Sequence, residues 1–140
     1  MRVMVLVKAS EASEAGVLPT TADLEAMGAF NEALAAAGIL REGDGLKPSA
    51  KGVRVVFDGP GREIVPGPFA AVSELLAGYW IWEVADMEEA VAWVLRAPNP
   101  MPMRSEIEIR PFYEPEDFGP ALTPELAAQE EALRHKLAKE

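Results

Sequence analysis

Four residues carry side chains that could bind or activate a small molecule: Asn31, Lys47, Phe69 and Glu83. Asn31 falls on the apolar stripe of a predicted helix, where an amide needs hydrogen-bond partners. Lys47 offers a cation to an anionic group. Phe69 ends the corner Pro66-Gly67-Pro68-Phe69, where glycine permits a close backbone approach and an aromatic ring can stand at the mouth of a pocket. We therefore take these four residues as candidate ligand-binding positions.

Glu83 is the member of this set that could act as an acid or a base. It lies on an aromatic strand, on the face opposite Trp80 and Trp82. A carboxylate buried there without a cation would have a raised pKa. A neighbouring Lys8, Arg41 or Arg110 would instead make it part of a structural ion pair.

The other three candidates also have structural interpretations. Asn31 could tie its helix to a neighbouring strand, Lys47 could be a solvated strand-end lysine, and Phe69 could fill the core. Both kinds of interpretation stay open from the sequence.

Composition excludes several kinds of active site. The chain of 140 residues has no cysteine, so thiolate nucleophiles, thiolate metal sites and disulfides are absent. Its single histidine, His135, lies among charged residues near the end of the chain, which argues against catalysis by a core histidine. The carboxylates fall at helix starts and in the tail, and no dinucleotide or Walker motif is present. We therefore predict no catalytic residue, no metal and no cofactor.

The charge balance bears on the partners. The formal net charge is -10, which repels phosphate backbones and disfavours nucleic acid as a partner. No apolar run approaches the roughly 20 residues that a membrane helix needs. The apolar stretch after the basic start has only five residues, too few for a secretory signal. We expect a soluble, cytoplasmic protein without a membrane partner.

The pattern of apolar residues and turn signals predicts an α+β fold. Strands are expected at 3–7, 39–42, 78–84 and 106–110, a hairpin at 53–65, and helices between Pro19 and Gly38, over 69–77 and from Asp86 to Pro98. Gly43-Asp44-Gly45 is interpreted as a tight turn. The order matches a ferredoxin-like βαββαβ core with an inserted hairpin.

Two features of this plan point to self-association. Helices collected on one side of the sheet leave its other face apolar and uncovered, and a second copy is the natural cover. After Thr123-Pro124 an extra C-terminal helix with a narrow leucine stripe is expected, which fits a helix lying on a partner subunit or on the edge of its own domain. We divide the chain into a domain over 1–118 and a helical extension over 119–140, and we expect a homodimer.

Several short motifs, taken in order, resemble the bacterial DGPF-domain proteins of the YCII-related family. They are Met27-Gly28-Ala29-Phe30-Asn31, Gly43-Asp44-Gly45-Leu46-Lys47-Pro48, Gly67-Pro68-Phe69, Gly78-Tyr79-Trp80-Ile81-Trp82-Glu83-Val84 and Glu108-Ile109-Arg110-Pro111. The resemblance implies a dimeric α/β barrel of ferredoxin-like halves but no established activity. Some relatives are linked to transcription initiation, which makes a regulatory protein partner an expectation.

The chain departs from the family pattern at three places. Pro66 stands where the signature tetrapeptide has an acid, and Ser73 where a lysine is frequent. Met27 stands where some relatives carry the histidine of a proposed His–Asp pair, so that pair is not available here. The main hypothesis is a non-catalytic module that binds a small ligand or a protein partner. The alternative is a cofactor-free lyase or isomerase in which Glu83 is the base and Asn31 or Lys47 polarises a carbonyl.

Overall fold

The computed structural model describes residues 1–138 as an antiparallel sheet with helices and a separate hairpin. The strands are β1 (Arg2–Lys8), β2 (Leu40–Gly45), β3 (Val53–Asp58), β4 (Gly61–Pro66), β5 (Leu76–Glu83) and β6 (Ile107–Pro111). The helices are α1 (Glu11–Glu14), α2 (Thr21–Ala36), α3 (Met87–Val94) and α4 (Pro124–Ala138). The expected α+β class is confirmed, and the helix predicted after Thr123 is present.

Four strands form the main sheet in the order β2-β5-β1-β6, and every neighbouring pair is antiparallel. Val5, in the middle of β1, pairs with Trp80 on one side and with Ile109 on the other. Within the described residues the outer strands β2 and β6 pair with no further strand, so a single chain does not close the expected barrel. Strands β3 and β4 pair with each other as the predicted hairpin.

The hydrophobic core lies between one face of this sheet and helices α2 and α3. It contains alternate residues of β1 and β5 with side chains of the two helices: Val3, Val5, Val7, Trp80, Trp82, Phe30, Leu34 and Ala90. The long helix α2 begins at a Thr20 capping box, in which the hydroxyl and Asp23 satisfy each other's backbone amides. The alternation of side chains along the strands places apolar residues on one sheet face, and the cap fixes where α2 begins. Together these local signals explain how the helices come to cover this face.

The opposite sheet face is covered by no helix of the described chain and is apolar only in its centre. Met4, Leu6, Tyr79 and Ile81 lie there half-buried. Charged residues surround them: Arg2, Lys8, Glu42, Asp44, Glu83, Glu108 and Arg110. The face is therefore less apolar than the sequence interpretation assumed.

Two local predictions were wrong. Gly43-Asp44-Gly45 is not a turn but the second half of β2, where Gly43 pairs with Trp80. A Cβ on Gly43 would lie 2.5 Å from Cδ1 of Trp80, so the glycine makes room for the indole ring. The helix predicted over 69–77 is only a single 3-10 turn, Val72–Glu74, after which β5 begins.

The hairpin and α4 lie outside the core. Every residue of β3 is exposed, and the side chains include Phe57 at 70% exposure. Helix α4 has no buried residue, and its leucines Leu126, Leu133 and Leu137 are all exposed. Neither element is held by the hydrophobic core of its own chain.

Candidate functional site

The main concave site lies under the Gly67-Pro68-Phe69 corner, between the end of β2, the start of β3 and the start of β5. Its volume is about 480 Å³. The lining residues are Leu46, Lys47, Pro48, Ser49, Lys51, Gly52, Arg54, Phe69, Glu74, Leu75 and Leu76. We call this site the corner cleft. Two of the four sequence-predicted site residues, Lys47 and Phe69, lie in it.

A hydrogen-bond network between distant segments holds the wall of the corner cleft. The Glu14 carboxylate accepts from the backbone amide of Ser49 at 2.8 Å and also from its hydroxyl. The same Ser49 hydroxyl oxygen accepts from the amide of Phe69 at 3.0 Å, and Gly67 N–H donates to the carbonyl of Gly52 at 3.0 Å. Helix α1, the turn after β2 and the corner are thereby joined at one serine.

Glycine is required at position 67 because the two backbones nearly touch there. A Cβ on Gly67 would lie 1.7 Å from the carbonyl oxygen of Ser49 and 2.7 Å from its carbonyl carbon. Both obstacles are backbone atoms, which cannot rotate away. The Gly67-Pro68 peptide bond is cis.

The ring of Phe69 forms one side of the cleft and does not enter the core. The guanidinium carbon of Arg54 lies 3.9 Å from the centroid of this ring, a cation–π contact. Lys47 and Lys51 are exposed and line the same cleft. An aromatic surface and three cations therefore share one concave site.

Asn31 lies elsewhere, on the core side of the sheet. Its Oδ1 accepts a hydrogen bond from Nε1 of the buried Trp80 at 2.9 Å. The amide thus ties α2 to β5, as the structural interpretation of this residue anticipated, although through a side chain and not through backbone groups. The polar group on the apolar stripe satisfies a buried indole.

Glu83 lies at the end of β5 on the uncovered face of the sheet. Its side chain is 43% exposed, and its Oε1 is 3.5 Å from the amino group of Met1. Asn31 and Glu83 therefore sit on opposite sides of the sheet and do not converge on one cavity. Glu83 also does not line the corner cleft that contains Lys47. The arrangement that the lyase or isomerase alternative needs, a Glu83 base beside Asn31 or Lys47, is therefore not formed.

Charges on the uncovered face shift two pKa values. Partial desolvation, together with the carboxylates of Glu42 and Asp44, raises the pKa of Tyr79. A hydrogen bond from Arg110, with the nearby Lys8, lowers the pKa of Glu108. On this face the acidic Glu42, Asp44 and Glu83 lie on β2 and β5, whereas the basic Arg2, Lys8 and Arg110 lie on β1 and β6 together with one carboxylate, Glu108.

Other surfaces offer less. A space of about 620 Å³ beside α4 is lined by Ala128, Glu131, Ala132, Arg134 and His135, and one face of a single helix cannot enclose a ligand. In residues 1–138, no three acidic or histidine side chains converge as metal ligands. Within that same range, no helix is long and apolar enough to span a membrane.

The comparison with protein families agrees with the resemblance seen in the sequence. The model of the YCII-related domain matches residues 1–114. This chain belongs to the YCII-related domain family. No curated protein matches it. In this YCII-related domain, Met27 packs against the hydrophobic core, and the matched range contains the whole corner cleft.

Four residues that hold or line the corner cleft were not among the sequence candidates: Glu14, Ser49, Lys51 and Arg54. Ser10 and Ser13 form a capping box that starts α1 and so positions Glu14. That signal is visible in the sequence. The contact of Glu14 with Ser49, 35 residues away, is not.

Proposed function

We propose that this YCII-related protein is a non-catalytic module that binds a small ligand in the corner cleft and works as a homodimer. The observation that carries the proposal is the corner cleft itself, a concavity of about 480 Å³ with an aromatic wall and polar groups at its rim. Volumes of this order, with a few polar groups beside apolar walls, are typical of small-molecule sites.

The rigidity of the cleft supports binding. Three separate segments meet at Ser49, and the Gly67 backbone fits against it without room for a side chain. A site whose walls are fixed before binding loses little entropy when the ligand arrives. Glu83 lies neither beside Asn31 nor in the corner cleft with Lys47, which favours a binding role over the lyase or isomerase alternative.

The assignment of a ferredoxin-like core is part of the proposal. Its support is the strand order β2-β5-β1-β6 together with α2 and α3 on one face, the arrangement expected of a βαββαβ unit with the β3–β4 hairpin inserted. The uncovered face then becomes the surface at which two copies meet in a dimeric α/β barrel.

The charges on the uncovered face support pairing with a second copy. Three acidic residues lie on β2 and β5, whereas β1 and β6 carry three basic residues and one acid, Glu108. A two-fold axis along the strands sets β2 of one copy over β6 of the other, so that the acidic half of each face lies over the net basic half of the other. The half-buried centre, with Met4 and Ile81, would supply the apolar contact.

A thermal-shift screen of small acids, lactones and aromatic metabolites tests the ligand-binding role. A compound at about 100 times its Kd stabilises the fold by about 2.7 kcal/mol, which for a domain of this size raises the Tm by roughly 5–10 °C. The matched variants are Leu46→Trp, which fills the cleft from its rim, and Leu95→Trp, which adds the same ring at a position that is 80% exposed and outside the cleft.

The stabilising compound should fail to shift the Tm of Leu46→Trp and should still shift that of Leu95→Trp. A screen with no stabilising compound, or a response that survives in Leu46→Trp, contradicts the proposal. The cytoplasmic location, the regulatory protein partner and the lack of nucleic-acid or membrane partners stay predictions from the sequence.

A further inference from the structure

The corner cleft has a charge opposite to that of the chain. The whole chain carries a net charge of -10, yet the cleft is lined by Lys47, Lys51 and Arg54 against one carboxylate, Glu74. None of the three cations forms an ion pair within residues 1–138. Glu14 does not line the cleft, and its carboxylate accepts hydrogen bonds from Ser49.

The apolar half of the cleft lies directly beside these cations. Phe69, Leu46 and Leu76 line it, and Leu75 is buried at its base with 8% exposure. The Arg54 guanidinium carbon lies over the Phe69 ring, and no carboxylate of the described residues forms an ion pair with this side chain. A guanidinium held over a ring can still direct its N–H donors to a carboxylate or phosphate group.

We propose that the ligand of the corner cleft is a small organic anion with a flat apolar body, an inference that rests on the proposed ligand-binding role. Its carboxylate or phosphate group meets Lys47, Lys51 and Arg54, and its body lies against Phe69. Exposed lysines are usually only solvated. Here two lysines and a stacked arginine come from the segments on both sides of Ser49 and surround one concave apolar surface, a combination that solubility alone does not require.

Titration calorimetry with matched probes tests the ligand class. Benzoate and phenyl phosphate carry the two candidate head groups on the same ring, and benzamide is the neutral counterpart of benzoate. We expect benzoate or phenyl phosphate to bind at least about fivefold more tightly than benzamide. Raising the NaCl concentration from about 20 to about 200 mM should weaken the binding of the two anions and leave the affinity for benzamide unchanged. The preferred anion identifies the head group.

Charge-removing variants locate the effect. Lys47→Gln and Arg54→Gln should each raise the Kd of the more tightly bound anion by about three- to fivefold. Two variants serve as controls: Lys136→Gln removes a lysine of α4, and Arg62→Gln removes an arginine that also lies over an aromatic ring, 4.5 Å from the Phe57 centroid. Neither control should change the Kd by more than about twofold.

The outcomes separate this inference from the proposed function. If benzamide binds as tightly as both anions and Leu46→Trp removes its binding, the anion inference is wrong while the ligand-binding role stands. If the two control variants weaken the anion as much as the cleft variants do, the effect comes from net charge and the inference is also wrong. If none of the three probes binds, the inference is wrong, and the broader thermal screen then decides the ligand-binding role by itself.

Discussion

Replacing Gly67 by alanine should break the corner cleft, and the size of the effect follows from one distance. The new Cβ would lie 1.7 Å from the Ser49 carbonyl oxygen, half of the 3.4 Å at which ordinary contact begins. The corner or the Ser49 turn must therefore move. Overpacking of this kind costs about 1–3 kcal/mol.

The movement also threatens the hydrogen bonds that meet at Ser49. The bond from Ser49 N–H to the Glu14 carboxylate and the bond from Phe69 N–H to the Ser49 hydroxyl share this residue. Loss of bonds of this type costs about 1 kcal/mol each, and somewhat more where a carboxylate is the acceptor. We expect the free energy of unfolding to fall by about 3 kcal/mol in total.

Urea denaturation at equal protein concentration measures this loss, which corresponds to a midpoint lowered by roughly 1.5 M. The matched control is Gly28→Ala, because a Cβ on Gly28 in the middle of α2 meets no atom within 4 Å. Alanine there should stabilise the protein by about 0.5–1 kcal/mol through helix propensity. A Gly67→Ala protein whose unfolding free energy lies within about 0.5 kcal/mol of the wild-type value would show that the corner accommodates a Cβ without moving.

Three further predictions concern the sheet. Asn31→Ala should lower the unfolding free energy by about 1–2 kcal/mol, since it leaves the buried Trp80 N–H unpaired. Asn31→Asp keeps an acceptor, so its unfolding free energy should fall less in the same urea titration, and equal losses in the two variants would argue against the hydrogen bond. Ile81→Lys, in the centre of the uncovered face, should convert a dimer of the 15.1 kDa chain into monomers in sedimentation velocity, and a wild-type monomer would contradict the dimer. The hydrogen bond from Arg110 lowers the folded-state pKa of Glu108 from 4.5. The ionised Glu108 therefore stabilises the fold fully above about pH 4.5, and this stabilisation is lost as the pH falls below that value. Measured over a series of pH values, the Tm should fall less steeply on acidification for Glu108→Gln than for the wild type.

Most elements of the fold could be predicted because their signals are local. The continuous apolar run of β1, the Thr20 cap of α2 and the turn chemistry of the β3–β4 hairpin each act within a few residues. Gly43 could not be assigned from local signals. A glycine at this position suggests a turn, but here glycine is needed because the Trp80 ring on a neighbouring strand leaves no room for a side chain. A contact between residues so far apart in sequence leaves no local pattern.

The candidate site was predictable only in part, for the same reason. Lys47 and Phe69 stood out by type and setting, and both lie in the corner cleft. Glu14 and Ser49, which hold the wall, act across a long sequence separation and carry no motif. Glu83 was correctly assigned to the strand face opposite the tryptophans, but the sequence does not say whether that face meets a cavity.

An amide-resolved NMR titration with benzoate tests most directly whether the corner cleft binds a small organic anion. We expect the amide signals of Ser49, Gly67 and Phe69 to shift together along one binding curve, while the amide signals of α4 stay in place. Shifts confined to the α4 residues around His135, or no shift at the corner at saturating benzoate, would show that the anion does not bind in the corner cleft.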